Sequence, residues 1–283
     1  MNPRDIFFIL TRQFIVNARH CLNLLLSRHH VYKLIKKMNK WIIRPAEKPA
    51  AKVKLICFPY AGGGTHVFVP WQQLLHQDIE LCIVQPPGRG SNFELEPIAN
   101  MTQLVDALMH ELSSDLDSNY VVFGHSLGSR VALEVVCRAI NSGYRKPLHF
   151  FASGSPGPKH PCLDKSCTSL NDEQFIQVLK ELNGTPPEVL NNMELLELFL
   201  PTLRSDFRLA EQHKCDKSTL VAEHMTILSG KQDTISTAQL DSWREFAVHS
   251  EIVLCEGDHF FIHSHSEQTV LMINQKLQST GVI

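Results

Sequence analysis

Apolar and polar residues follow two different rhythms along this chain, and the change comes near residue 50. From there on, short apolar runs alternate with stretches of helical spacing. Residues 54–58 form an apolar run ended by Pro59 and by Gly62, Gly63 and Gly64, the pattern of a buried strand leaving into a tight loop. Residues 80–85 predict a second strand, stopped by Pro86, Pro87 and Gly88. Met101, Leu104, Val105, Leu108 and Leu112 recur at helical spacing over residues 101–116, and 120–123 is a third strand. A helix over 127–140 and a fourth strand over 148–152 follow. Beyond them, 225–228 and 252–255 read as strands, and 238–246 and 267–277 as helices. Short strands alternating with helices imply an α/β architecture, a mostly parallel sheet covered on both faces. Residues 155–220 break the rhythm with helices, clearest over 173–182 and 193–203, and are placed as a lid between two sheet strands.

Before residue 50 the texture is basic and helical. Overall charge hides this, because 27 basic side chains against 29 acidic ones give a net charge of −2. Residues 1–54 hold 12 basic side chains and only Asp5 and Glu47 as acids, about +10, which leaves about −12 for residues 55–283. The division is into a basic N-terminal extension, residues 1–50, and an acidic body, residues 51–283. Apolar clusters in the extension are interrupted by Arg12, Arg19 and Arg28 before they reach the length needed to span a bilayer. Over residues 1–44 the sequence fits either an amphipathic helix that would touch an anionic membrane surface or an acidic carrier protein, or a poorly ordered appendage or misassigned start. No nucleic-acid partner is indicated. The eight cysteines contain no CxxC pair and sit partly in strand-like runs, which fits reduced thiols in a cytoplasmic protein; Cys162 and Cys167 carry only a weak case for a metal or disulfide role.

The chemistry gathers around Gly124–Gly128, GHSLG, placed after the strand YVVF and before a helix. A serine hydroxyl becomes a useful nucleophile when a strained turn holds it out beside a base, and flanking glycines remove side chains that would clash there. Ser126 is therefore the candidate nucleophile. In that architecture an acid and then a histidine follow on loops after later strands. Asp233, after MTILSG, and His259, after IVLC, occupy those places, with Asp241 and Asp258 as rival acids and His263 and His265 read as solvent-facing. Histidines four apart also suggest a metal, but no glutamate follows His259 as in HExxH, and no metal or cofactor is expected. An oxyanion hole needs two backbone amides: Leu127 supplies one, and the loop PYAGGG the other, with Ala61 best placed.

Taken together, FPYAGGG (58–64), PPGRG (86–90), GHSLG, GTPPEVL (184–190), LPTLRSDF (200–207), Trp243 with Arg244, and GDHFFI (257–262) resemble the type II thioesterases of nonribosomal peptide and polyketide synthesis, over about residues 53–278. The resemblance implies an α/β-hydrolase fold lacking the first strand of the full fold and carrying a helical lid. It implies hydrolysis of acyl or aminoacyl groups from the phosphopantetheine thiol of a carrier protein. The matching triad falls on Ser126, Asp233 and His259, and the oxyanion amides on Ala61 and Leu127. This chain departs from the family at Ser91, Asn92 and Phe93, where a second arginine is usual, at Arg204–Ser205–Asp206 in place of RAD, and at Asp258 before the histidine. Arg204 and Asp206 could pair with each other or with the body. Release of medium-chain fatty acid, or simple ester hydrolysis, is the alternative activity; a hydrolase-like binding protein without turnover has the least support.

Overall fold

The computed structural model describes residues 41–283 except 164–165, 183, 186 and 216–218. A seven-stranded sheet organises them: β1 (Ile42–Ile43), β2 (Val53–Phe58), β3 (Ile79–Val84), β4 (Tyr120–His125), β5 (Phe150–Ser153), β6 (Ala222–Gly230) and β7 (Ala247–Cys255), in the order β1-β3-β2-β4-β5-β6-β7. All neighbours are parallel except β1, which runs antiparallel to β3. Helices α1 (Met101–Leu116) and α2 (Leu127–Asn141) join the central strands. Between β5 and β6 lie α3 (Asp172–Leu182), α4 (Pro187–Leu190) and α5 (Met193–Gln212). After them come α6 (Thr237–Asp241), α7 (Phe261–Ser264) and the closing α8 (Ser266–Ser279).

Each central strand reads as a continuous apolar run because both of its faces are covered. On β2, Ile56 and Phe58 join Leu108, Leu112, Ala132 and Val136 from α1 and α2. Val53, Leu55 and Cys57, on the opposite face, join Phe68, Trp71 and, from α8, Val270, Ile273 and Leu277. Helix α1 starts where Asn100 accepts the Gln103 amide, a cap that satisfies one of the open donors of the first turn. The lid has its own small core, in which Phe175 and Leu179 of α3 meet Leu196, Leu200, Leu203 and Phe207 of α5.

The observed elements differ from the expected ones mainly in the strands near the sheet edge. Strands β6 and β7 begin three and five residues earlier than the apolar runs suggest. Their N-terminal halves carry polar side chains, with His224 stacked on His249, and pair through the backbone. The residues before the boundary at 50 fall into two parts. The basic helix expected over residues 1–44, with its proposed membrane or carrier contact, lies outside the described residues as far as Lys40. Residues beyond that belong to the body: Ile42 and Ile43 pair with Val84 and Ile83, Ile42 is buried, and Arg44 reaches Asp115 at 2.5 Å. The apolar run 41–43 ends in an arginine and a proline, and an open edge of β3 gives it a place to pair. Among the described residues, no helix is long and apolar enough to cross a membrane.

Candidate active site

Ser126 occupies the turn between β4 and α2 with φ 55° and ψ −119°, the one non-glycine positive φ among the described residues. Such a conformation costs on the order of 1–3 kcal/mol and persists only where the surroundings enforce it. They do so here at close range. The Ser126 amide donates to the Ser153 carbonyl at 2.7 Å, and the Ser129 hydroxyl donates to the Gly124 carbonyl at 2.7 Å. A Cβ on Gly124 would lie 2.5 Å from the Ser129 Cα, and one on Gly128 would lie 2.1 Å from the Phe58 carbonyl oxygen. The glycines are there because α2 packs against its own strand and against the end of β2 at backbone distance.

Asp233 and His259 arrive from the loops after β6 and β7. These loops are laced together: the Lys231 amide donates to the Cys255 carbonyl at 2.8 Å and the Gln232 amide to the Gly257 carbonyl at 3.0 Å. The His259 Nδ1 lies 2.8 Å from Asp233 Oδ2. A carboxylate can only accept, so in the neutral imidazole the proton sits on Nδ1 and Nε2 keeps its lone pair. The rival acids are otherwise engaged. Asp241 pairs with Arg244 at 2.7 Å, and Asp258 accepts the Phe260 amide at 2.8 Å.

Ser126, Leu127, Asp233, His259 and Ala61 all line one cavity of about 390 Å³, together with Tyr60, Phe260 and the lid residues Leu179, Leu203 and Phe207. Leu127 is the first residue of α2, so its amide has no acceptor within the helix. In the loop after β2, the Gly63 amide donates to the Tyr60 carbonyl at 2.8 Å and the Gly62 amide to Asp206 Oδ2 at 2.7 Å. Of amides 61 to 63, Ala61 alone has no bond among the described residues. A hydroxyl on a strained turn, an imidazole with a free acceptor nitrogen and two open amides in one cleft are the parts that nucleophilic acyl transfer requires.

The three histidines near the C-terminus do not converge. His259 bonds Asp233, His263 is exposed yet bonds the Tyr60 hydroxyl at 2.9 Å, and His265 bonds the Ser264 hydroxyl. His263 is thus tied to a cavity residue as well as facing solvent. Cys162 is a free thiol and also lines the cavity. Among the described residues, no three His, Cys, Asp or Glu side chains form a group that could hold a metal.

Several supporting residues show their part only in the fold. Arg130, fully buried in α2, donates to the carbonyls of Pro156 at 2.8 Å, His160 at 3.0 Å and Pro158 at 3.1 Å, and so fixes the loop leaving β5. The Trp243 indole donates to the Ser155 carbonyl at 2.8 Å in the same loop. His125, beside the serine, is buried completely, with its ring 5.2 Å from that of His259. Burial and then the neighbouring His259 and His263 hold its pKa well below 6.5, so it stays neutral. Arg204 and Asp206 do not pair with each other: Arg204 bonds Asp172 within the lid, and Asp206 bonds Arg89 at 2.8 Å in the body.

The chain is similar to several known proteins. The gramicidin S biosynthesis protein GrsT of Aneurinibacillus migulanus is 33% identical over 247 residues, covering 86% of this chain and 96% of that protein. The medium-chain S-acyl fatty acid synthase thioesterase of Rattus norvegicus is 30% identical over 76% of this chain and 84% of its own. Among solved structures, the type II thioesterase YbtT of the yersiniabactin NRPS/PKS pathway superposes with a TM-score of 0.75 at 30% identity, covering 85% of this chain and 99% of YbtT. The Thioesterase domain family matches residues 53–277, from β2 into α8. This chain belongs to the thioesterase domain family.

Proposed function

We propose that this protein is a type II thioesterase that clears acyl or aminoacyl groups from the phosphopantetheine thiol of a carrier protein in nonribosomal peptide or polyketide synthesis. The observation that carries the reading is the His259–Asp233 bond in the cleft that holds the strained Ser126. In the first step His259 Nε2 takes the Ser126 proton while the serine oxygen attacks the thioester carbonyl, and the amides of Ala61 and Leu127 hold the developing oxyanion. The C–S bond then breaks, the thiolate leaves with the proton from His259, and an acyl-serine remains. Water, deprotonated by His259, attacks that ester; the C–O bond to Ser126 breaks, the serine oxygen takes the proton back from His259, and the free acid leaves. Asp233 steadies the imidazolium without taking its proton. No metal or cofactor enters these steps.

The free thiols of Cys57, Cys82 and Cys137 suit a reducing cytoplasm. A second reading, release of medium-chain fatty acids, is favoured by the rat relative. The two are told apart by whether aminoacyl and short acyl groups or medium-chain groups leave a carrier faster. A fluorophosphonate probe should label Ser126, and Ser126→Ala should lose label and on the order of 10⁴-fold or more in hydrolysis of an acyl-carrier thioester. Near-normal hydrolysis by Ser126→Ala would sink the acyl-serine mechanism.

A further inference from the structure

Residues 60–63 make a tight turn. The Tyr60 carbonyl accepts the Gly63 amide, Gly62 has φ +78°, and Ala61 has no positive φ, which together define a type II turn with glycine where that turn demands it. Two charged side chains grip this turn from outside. Asp206 of α5 accepts the Gly62 amide on Oδ2 at 2.7 Å and Arg89 on Oδ1 at 2.8 Å. The other terminal nitrogen of Arg89 donates to the Gly63 carbonyl at 2.9 Å. Asp206 and Arg89 are 4% and 7% exposed, so solvent does little to loosen the grip. One turn earlier on α5, the Thr202 hydroxyl donates to the Gly88 carbonyl at 2.8 Å, which binds the lid helix to the loop bearing Arg89.

We infer that Asp206 is a positioning residue: through Gly62 it locks the turn that aims the Ala61 amide into the cleft, so that a lid residue sets the oxyanion hole. The inference rests on the acyl-serine reading above. With Gly62 committed to Asp206 and Gly63 to Tyr60, Ala61 is the donor of this trio left for substrate. The Ala61 N–H belongs to the Tyr60–Ala61 peptide, so what Asp206 and Arg89 fix for it is the position of the whole turn, held at the Gly62 amide and the Gly63 carbonyl. Leu203 enforces the same approach sterically, since a Cβ on Gly62 would lie 2.6 Å from its Cδ2.

The test uses Asp206→Asn, which keeps size and shape. Its oxygen turns to Arg89, its amide group then opposes the Gly62 N–H, and the lock is broken without removing packing. With hexanoyl-N-acetylcysteamine as substrate, kcat should fall about tenfold or more, short of the roughly 10²–10³ lost with a whole oxyanion donor, while KM stays within about twofold. Affinity for a hexyl trifluoromethyl ketone, which forms an oxyanion in the site, should fall by the same factor, and affinity for hexanoate should not change. Arg89→Met combined with Asp206→Asn frees the Asn oxygen to face Gly62 and should restore most of kcat. Should the single variant fail to fold, this double variant, which buries no charge, still carries the comparison. An unchanged kcat, a parallel loss of ketone and hexanoate affinity, or no recovery in the double variant would each overturn the inference. Fluorophosphonate labelling of the unmodified protein and hydrolysis by Ser126→Ala, run alongside, report separately on the acyl-serine reading.

Discussion

Ser126 and Ala61 reach one cleft from corners built in different ways. Around Ser126 nearly every constraint is made by close-packed backbone: a buried strand, a strained turn, two glycines at backbone contact, and bonds to the adjacent β5. The turn at Ala61 has one bond of its own and is otherwise held by two charged side chains, Arg89 and Asp206, the latter 144 positions from Gly62. The serine corner is rigid by shape, because close-packed backbone has nowhere to move. The Ala61 corner is rigid only while two buried charges stay paired. Displacing the lid would leave the first corner intact and release the second.

The largest expected effect tests the corner made by shape. In Gly128→Ala the new methyl would sit 2.1 Å from the Phe58 carbonyl oxygen and 2.7 Å from that of Pro59, both backbone atoms that cannot swing aside. A loss of more than about 4 kcal/mol is expected, seen as failure to fold or a collapsed denaturation midpoint. A wild-type midpoint would mean that the serine corner is looser than its geometry implies.

Arg89→Met tests the corner held by charge. Removing the guanidinium strands the Asp206 carboxylate in the interior, at a cost of about 3–5 kcal/mol, and adding Asp206→Asn should return much of it. If the single variant were as stable as the unmodified protein, the pair would be a solvated contact and the contrast between the corners would disappear.

The same contrast explains what could be read from the sequence. The serine corner announces itself because its causes are neighbours in the chain: an apolar run, GHSLG, then helical spacing, matching β4, Ser126 and α2 with ends shifted by one or two residues. Asp233 and His259 follow from the order of strands. That Asp206 would meet Gly62 rather than Arg204 was not legible, because nothing local distinguishes a carboxylate on a lid helix that faces the body from one that faces solvent. Strand β1 was hidden for a related reason. Its two residues sit in a basic stretch, and only the open edge of β3 makes a strand of them.

Acid offers a subtler probe of the serine corner. His125 stays neutral in the fold but protonates near pH 6.5 once unfolded, so below that pH the unfolded chain binds the extra proton and stability drains away; above it the stability is intact. His149, buried against Phe151 with its pKa pushed down to about 3, contributes a second proton in the same direction. Each adds a slope of about 1.4 kcal/mol per pH unit below the unfolded-state pKa. Urea denaturation from pH 6.5 to 4.5 should therefore show a slope smaller by one proton in His125→Asn, whatever its absolute stability. An unchanged slope would mean that His125 is charged in the fold.

The smallest effect comes from the far end of α2. Gly143 ends this helix with φ +86°, a left-handed conformation that glycine adopts freely, and a Cβ there would meet nothing within 4 Å. Gly143→Ala should therefore cost only the backbone strain, about 1 kcal/mol, and leave thioester hydrolysis at its normal rate. The same substitution at the two ends of one helix thus separates conformational strain from steric exclusion. If Gly143→Ala proved as damaging as Gly128→Ala, the vulnerability would belong to α2 as a whole, and the special tightness assigned to the serine corner would be wrong.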